Sequence, residues 1–463
     1  MAETSVQQIL DPIVSAHITL CGALRAAAIV VGPDGTPLAS WGRDATPDTV
    51  FRIASMTKSF TAATVLSLRD DAVVSLDEPI GSAAPELQSV VGPGADPVPV
   101  TLRHLLSMNA GLATDDPWAD RHLHATDDEL DGWVGAGLRF AFPTGTAFEY
   151  SNLGYALAGR VVHRVTGRRI QEHVRERFLE PLGLSRTAWS IDELPPEADV
   201  TQGMHVVDDT AVATAPLGDG VVAPMGGLWS SAADLGRWMA FLSSAFSSTP
   251  LDGSLRASSR REMQQLQRET PVRRSVAIDG SMRTAEGGYG LGLTTFADDR
   301  LGRVVTHSGG LPGYGSNMRW VPGGLGVAVC ANTTYAPMWH AVAAVLDALA
   351  VAGLVPAPGD IVTNDLQTAG QRLVALLATW NDDDAMELFA DNVPLDIPFD
   401  VRRREASRRL QISSSDVVAT MVSIEPAGRA AATIAFVIDA ALHRVRFELA
   451  PTGSASIQKY DWV

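Results

Sequence analysis

Strand-like runs stand at both ends of the first 355 residues, and helical patterns fill the stretch between them. A chain patterned this way predicts one α+β domain over residues 1–355, whose sheet joins its two termini. The first run, Ala26-Ala27-Ala28-Ile29-Val30-Val31, is followed by the turn signal Gly32-Pro33-Asp34-Gly35 and then by Pro37-Leu38-Ala39-Ser40-Trp41. This reads as a hairpin. At the far end, residues 289–293, 304–306 and 325–329 read as strands. Helical spacing marks residues 56–70, 101–107, 154–166, 170–178, 235–246 and 341–351. The composition changes near 352–365, where Gly353-Leu354-Val355-Pro356-Ala357-Pro358-Gly359-Asp360 reads as a linker. Residues 356–463 then read as a separate small α+β domain. Amphipathic helices at 371–381 and 384–390 precede three or four strand-like runs from about 416 onward.

Apolar residues make up 46% of the chain and charged residues 19%, which allows a large core and excludes wholesale disorder. The formal net charge of −17 argues against general binding of nucleic acid or anionic membranes, because both need positive surface. Cys21 and Cys330 are too few and too far apart for a disulfide scaffold or a zinc motif. Met1-Ala2-Glu3-Thr4-Ser5-Val6-Gln7-Gln8 has no basic segment and no apolar run of signal length. No stretch reaches the ~18 apolar residues of a membrane span. The expectation is a soluble, cytoplasmic protein.

Lysine is scarce. Lys58 and Lys459 stand alone among basic residues that are otherwise arginine. Arginine does not shed its proton near neutral pH, whereas a buried lysine does, so each retained lysine merits inspection. Lys58 lies in Phe51-Arg52-Ile53-Ala54-Ser55-Met56-Thr57-Lys58, where S-x-x-K opens an apolar helix. Positions i and i+3 share a helix face, so Ser55 Oγ and Lys58 Nζ can meet. A serine hydroxyl becomes a useful nucleophile when a neighbouring base takes its proton, and a desolvated lysine is such a base. Ser456-Ile457-Gln458-Lys459 repeats the spacing, but in an apparent strand, where i and i+3 point to opposite faces. That copy reads as coincidence.

Two weaker elements accompany the first. Tyr150-Ser151-Asn152 follows a Pro-Thr-Gly turn and precedes a helix. Tyr150 is placed to relay a proton, and Asn152 to hydrogen-bond a substrate amide or the lysine. Thr306-His307-Ser308-Gly309-Gly310 closes a strand-like run, and its glycines permit close backbone approach to a ligand. Ahead of both lies the acidic, aromatic segment Asp115-Asp116-Pro117-Trp118-Ala119-Asp120-Arg121-His122, which reads equally as a cleft lining or as a solvated loop.

In this order and at these separations, the three elements resemble the serine β-lactamase-like, penicillin-binding-protein-like superfamily. The branch of class C β-lactamases, D-aminopeptidases and esterases is the nearest. The likeness covers about residues 15–350 and extends to Val74-Ser75-Leu76-Asp77-Glu78-Pro79-Ile80, Gly226-Gly227-Leu228-Trp229-Ser230-Ser231 and Tyr289-Gly290-Leu291-Gly292. It implies an antiparallel sheet flanked by helices plus an all-helical region. It also implies Ser55 as the acylated nucleophile and Lys58 and Tyr150 as shared general base and acid. Backbone N–H groups of Ser55 and Gly310 would form the oxyanion hole, and Asn152, His307 and Gly309 would contact substrate. No metal or organic cofactor is implied. His307 stands where many β-lactamases carry lysine, and this departure favours esters and D-peptides over β-lactams. Ser107-Met108-Asn109-Ala110-Gly111 departs from the family's usual His-Thr-Ser-Gly. More weakly, residues 376–393 resemble the opening helices of a nuclear-transport-factor-2-like fold.

The reading is a serine hydrolase that acts on a small ester, amide or D-amino-acid-containing peptide through an acyl-enzyme. Its rivals are an acyltransferase or peptide cyclase with the same intermediate, and an inactive binding protein on the scaffold. The sequence leaves the oligomeric state open.

Overall fold

The computed structural model describes residues 5–463, apart from 209, 248, 277–281, 299, 356–361 and 412–418. Met1–Thr4 of the N-terminal segment and residues 356–360 of the linker lie outside the described residues. The chain divides into two compact units, Met1–Val355 and Pro356–Val463.

The first unit is built on a nine-stranded antiparallel sheet. The hairpin Ala26–Val31 and Pro37–Arg43 forms one end. Ala26–Val31 then pairs with Gly326–Ala331, so the sheet does join the two ends of the unit. It continues through Tyr314–Trp320, Gly302–Leu311, Thr294–Asp298 and Met282–Tyr289. Every residue of Ala26–Val31 and Gly326–Ala331 is buried, as for strands covered on both faces. On one face Ala27, Ile29 and Val31 join the core formed with the helical region. On the other, Ala26, Ala28 and Val30 pack under the helices Val6–Leu20 and Met338–Val351. The N-terminal helix was not legible in the sequence. Pro12 interrupts its pattern, yet Ser5 caps it by accepting from Gln8 N–H, and Ile9, Leu10, Val14 and Ile18 supply its buried stripe.

One strand expectation needs correction. Residues 291–293 form a bend between Met282–Tyr289 and Thr294–Asp298. Gly292 has φ +73°, and a Cβ there would lie 2.6 Å from Lys58 O. The chain turns against the back of the Lys58 helix, and only glycine fits that approach. The stretch 170–178 begins as the α-helix Ile170–Val174 and widens to a π-turn at Arg175–Leu179.

The second unit has its own core. Helices Asn364–Ala378, Asp382–Leu388, Asn392–Asp396 and Phe399–Leu410 precede a four-stranded antiparallel meander: Thr420–Pro426, Ala431–Ile438, Ala441–Leu449 and Ile457–Trp462. Lys459 lies in the last strand, is exposed, and pairs with Asp461 at 3.0 Å. Among the described residues, no helix is long and apolar enough to cross a membrane.

Candidate active site

The strand Val50–Arg52 pairs with Trp229–Ser231 and delivers the chain into a tight turn. Ala54 adopts φ +50°, a conformation that costs a non-glycine residue about 1–3 kcal/mol. A 3-10 turn at Ala54–Met56 then leads into the helix Thr57–Asp70. Ser55 is thereby lifted to the edge of a cavity while the helix behind it is buried almost throughout.

Lys58 is fully buried. Its Nζ lies 3.0 Å from Ser55 Oγ, 2.6 Å from Asn152 Oδ1 and 2.7 Å from the Met225 carbonyl. An ammonium has three donors, and each has one acceptor here. Burial pulls the lysine down to about 8, against the opposing pull of Asp116, Asp120 and Asp115. On losing one proton the amine keeps two N–H bonds for Asn152 and Met225. Its lone pair is then directed at the serine hydroxyl.

Tyr150 reaches the same point from a loop held by its backbone. Glu149 N–H donates to the Met108 carbonyl at 2.9 Å, and Thr114 Oγ1 donates to the Tyr150 carbonyl at 2.7 Å. The departure at Ser107-Met108-Asn109 therefore braces this loop. The Lys58 Nζ stands 5.0 Å from the Tyr150 ring centroid. Burial, and next the charge of Asp116, raise the phenol well above its usual range, while a hydrogen bond with Ser55 opposes them. Tyr150 therefore stays protonated at neutral pH.

Asn152 opens the helix Asn152–Thr166. Asp115 accepts from Asn152 N–H at 2.7 Å and from Leu153 N–H at 2.8 Å, placing a carboxylate at the positive end of that helix. The Asn152 side chain is spent within the protein: Oδ1 takes Lys58, and Nδ2 donates to Asp116 Oδ1 at 2.6 Å. It is fully buried and does not line the cavity. Of the two partners expected for Asn152, a substrate amide or the lysine, the lysine is the one it holds here, and Asp116 takes the exposed position. The acidic segment 115–122 is a cleft lining: Asp116, Pro117 and Asp120 face the cavity that holds Ser55. Stacking of Trp118 on His122 and its edge contact with Trp133 anchor that segment.

The strand Gly302–Leu311 carries the third element. His307 Nδ1 lies 2.7 Å from the Ser308 carbonyl, which can only accept, so Nδ1 bears the proton. Nε2 then accepts from Tyr289 OH at 2.8 Å. Burial, aided by the Lys58 charge, lowers the imidazole to about 3, so the ring is neutral. His307 lines the cavity, but both its nitrogens are engaged by the protein. It therefore presents a neutral ring to the cavity. Gly309 needs correction. A Cβ there would meet Ile53 O at 2.1 Å and Ser316 Oγ at 2.3 Å, so its close approach serves the protein and no ligand. That approach locks the strand onto the Ser55 turn. Gly310, next along, lines the cavity beside Ser55 and under the Tyr335 ring. Tyr335 OH donates to Asp120 Oδ2 at 2.7 Å, and burial raises that carboxyl to about 6.

Ser55, Lys58, Tyr150, Asn152, His307 and Gly310 are thus brought together, and Gly309 supports them from behind. The sequence reading missed Asp116 as the partner of Asn152, Met225 as a lysine acceptor, and Tyr289 as the partner of His307. Tyr289 and Met225 sit within or beside recognised glycine motifs. Their roles depend on side-chain direction, which spacing does not reveal. Among the described residues, no group of three or more His, Cys, Asp and Glu is placed to hold a metal ion.

A sequence model of the beta-lactamase family matches residues 14–352. The chain belongs to the beta-lactamase family. It is 30% identical over 203 residues to beta-lactamase-like protein 2 of Dictyostelium discoideum, covering 42% of this chain and 36% of that protein. It is 24% identical over 246 residues to protein flp of Staphylococcus aureus, covering 51% of this chain and 48% of that protein. The chain thus spans about a third to a half of the length of these curated relatives. The fold is similar to an octameric penicillin-binding protein homologue from Pyrococcus abyssi, with TM-score 0.60, 20% identity, and coverage of 95% and 96% of the two chains. It is also similar to a D-stereospecific amidohydrolase from Streptomyces, with TM-score 0.56, 24% identity, and coverage of 74% of this chain and 98% of that one. The family is one of serine hydrolases, and its fold is the one seen here.

Proposed function

We propose that this beta-lactamase-family chain hydrolyses a small ester or amide through an acyl-enzyme on Ser55. The observation that carries the reading is the buried Lys58, with two of its three hydrogen-bond directions fixed by protein acceptors and the third aimed at Ser55 Oγ. Neutral Lys58 takes the serine proton as Oγ bonds to the substrate carbonyl carbon. The backbone N–H groups of Ser55 and Gly310 receive the developing oxyanion. The bond to the leaving group breaks as that group takes a proton from Tyr150, which Lys58 replenishes. Water then cleaves the Ser55 ester, releasing the acid and restoring the hydroxyl.

His307 is neutral, and Asp116 and Asp120 line the same cavity, so the reaction end favours neutral or cationic substrates over anionic ones. A panel of p-nitrophenyl esters, D- and L-aminoacyl amides and nitrocefin tests this. Esters or aminoacyl amides are expected to acylate Ser55, seen as a mass increment on the intact protein. Nitrocefin, whose carboxylate meets no cation at position 307, is expected to turn over at least about tenfold more slowly, for the ~1.4 kcal/mol loss of one charge-assisted contact. Efficient nitrocefin hydrolysis with inert esters would reverse the substrate reading.

Asp116→Asn isolates the electrostatic part. Asparagine keeps an oxygen for Asn152 Nδ2 but removes a negative charge that favours protonated Lys58. Acylation should then reach its plateau at lower pH than in the wild type. A pH–rate profile that stays in place would show that Asp116 does not act on Lys58 through charge.

A further inference from the structure

The cavity that holds Ser55 exceeds what a small acyl group needs. Its volume is about 1230 Å³, above the roughly 300–1,000 Å³ usual for small-molecule pockets. Much of it lies beyond the reaction end. The pairing of Thr294–Asp298 with Gly302–Leu311 ends at Thr294↔Thr306. From His307 onward, that edge of Gly302–Leu311 has no partner strand among the described residues. The resulting notch joins the Ser55 chamber to a furrow on the opposite face of the sheet.

The furrow floor is set by strand alternation. Phe296, Thr306 and Arg319 line it from three neighbouring strands, with Thr306 paired to Arg319 across the ladder and Arg319 stacked over Phe296 at 5.2 Å. Its walls are the helices Val6–Leu20 and Met338–Val351. Each helix commits one stripe to the core, Val14 and Ile18 on one and Val342, Val345 and Leu346 on the other. The next stripe faces the furrow: Ile13 and Ala16 from one wall, Trp339, Ala343 and Ala344 from the other, with His17, His340 and Asp347 as the polar residues among them. A helix face left to water carries polar side chains, but these stripes are largely apolar, and the alanines keep the furrow open.

The geometry points to this furrow as the site of a linear, apolar acyl chain on the substrate. This rests on the acyl-enzyme reading. The leaving atom must lie at Lys58 and Tyr150 to receive its proton, and the carbonyl oxygen must lie at Gly310. The remaining substituent of the carbonyl carbon is the acyl chain, which runs along the open edge of Gly302–Leu311 and through the notch. The helical walls have their backbone groups hydrogen-bonded internally and offer mostly apolar side chains, which suits methylenes.

The test compares p-nitrophenyl acetate, butyrate, octanoate and dodecanoate on the full chain. Each methylene buried is worth about fourfold in kcat/KM. The octanoate-to-acetate ratio of kcat/KM should therefore exceed about tenfold even with partial burial. Ala16→Trp and Ala343→Trp fill the furrow from opposite walls, and the ratio should fall towards one in each. Ala16 is exposed, so tryptophan there leaves the core undisturbed. General damage would lower both substrates together and leave the ratio high. A wild-type ratio near one, or a ratio unchanged in folded Ala16→Trp, overturns the acyl-chain site while acetate still acylates Ser55. Failure of acetate to acylate Ser55 instead removes the hydrolase reading, and the acyl-chain site with it.

Discussion

Ser55→Ala is expected to abolish the covalent adduct and leave the fold intact. The substitution deletes a single half-buried hydroxyl at a cavity edge. Lys58 keeps Asn152 and Met225 as acceptors, so the loss amounts to two hydrogen bonds, to Lys58 and to Tyr150, each worth about 0.5–1.5 kcal/mol. The melting temperature should move by a few degrees at most. The chemistry has no substitute nucleophile at that point. Intact-mass measurement after an activated ester or a fluorophosphonate probe decides the matter: one adduct on wild type, none on Ser55→Ala. Ser456 is the built-in control, because it shares the S-x-x-K spacing but its Lys459 is solvent-exposed and paired with Asp461. An adduct that persists in the variant, or maps to Ser456, would overturn the assignment.

The contrast between these two serines explains how much was legible in the sequence. The spacing was the same, and the local structure decided. At the start of a helix, three residues bring Lys58 Nζ to Ser55, whereas Lys459, in the strand Ile457–Trp462, pairs with Asp461. Periodicity is local, so the helix, the hairpin and the strands of the sheet were readable. Interactions that span the sheet were not. Gly309 looked like a ligand-facing glycine, but its missing side chain makes room for Ile53 O. Asn152 read as a partner of the lysine or of a substrate amide, and nothing in the spacing showed that Asp116, 36 residues earlier, takes its Nδ2. Residues 289–293 had strand-like composition, yet Gly292 turns the chain against the Lys58 helix. In each case the deciding atom belongs to a distant segment, and one-dimensional spacing carries no record of it.

Lys58→Arg is expected to be nearly as damaging as Lys58→Ala. Arginine keeps the charge and fills the space, but it does not release a proton near neutral pH. If Lys58 served only as a fixed positive charge, arginine would preserve much of the rate. As a general base it supplies about 10²–10⁴ in rate, and both variants should lose that. The pH profile separates the roles further. The reactive form is the neutral amine, and burial sets its pKa at about 8. Below that value the lysine is charged and cannot accept the serine proton. Acylation should therefore rise with pH through about 8 and level off above it. Lys58→Arg should show a low rate without that rise. Because arginine is larger than the fully buried lysine it replaces, the melting curve of each variant accompanies the kinetics. Lys58→Ala, which removes bulk instead of adding it, covers the case in which arginine does not fit. A folded Lys58→Arg that retains substantial activity, with the same inflection near 8, would assign the base to another group and leave Lys58 an electrostatic role.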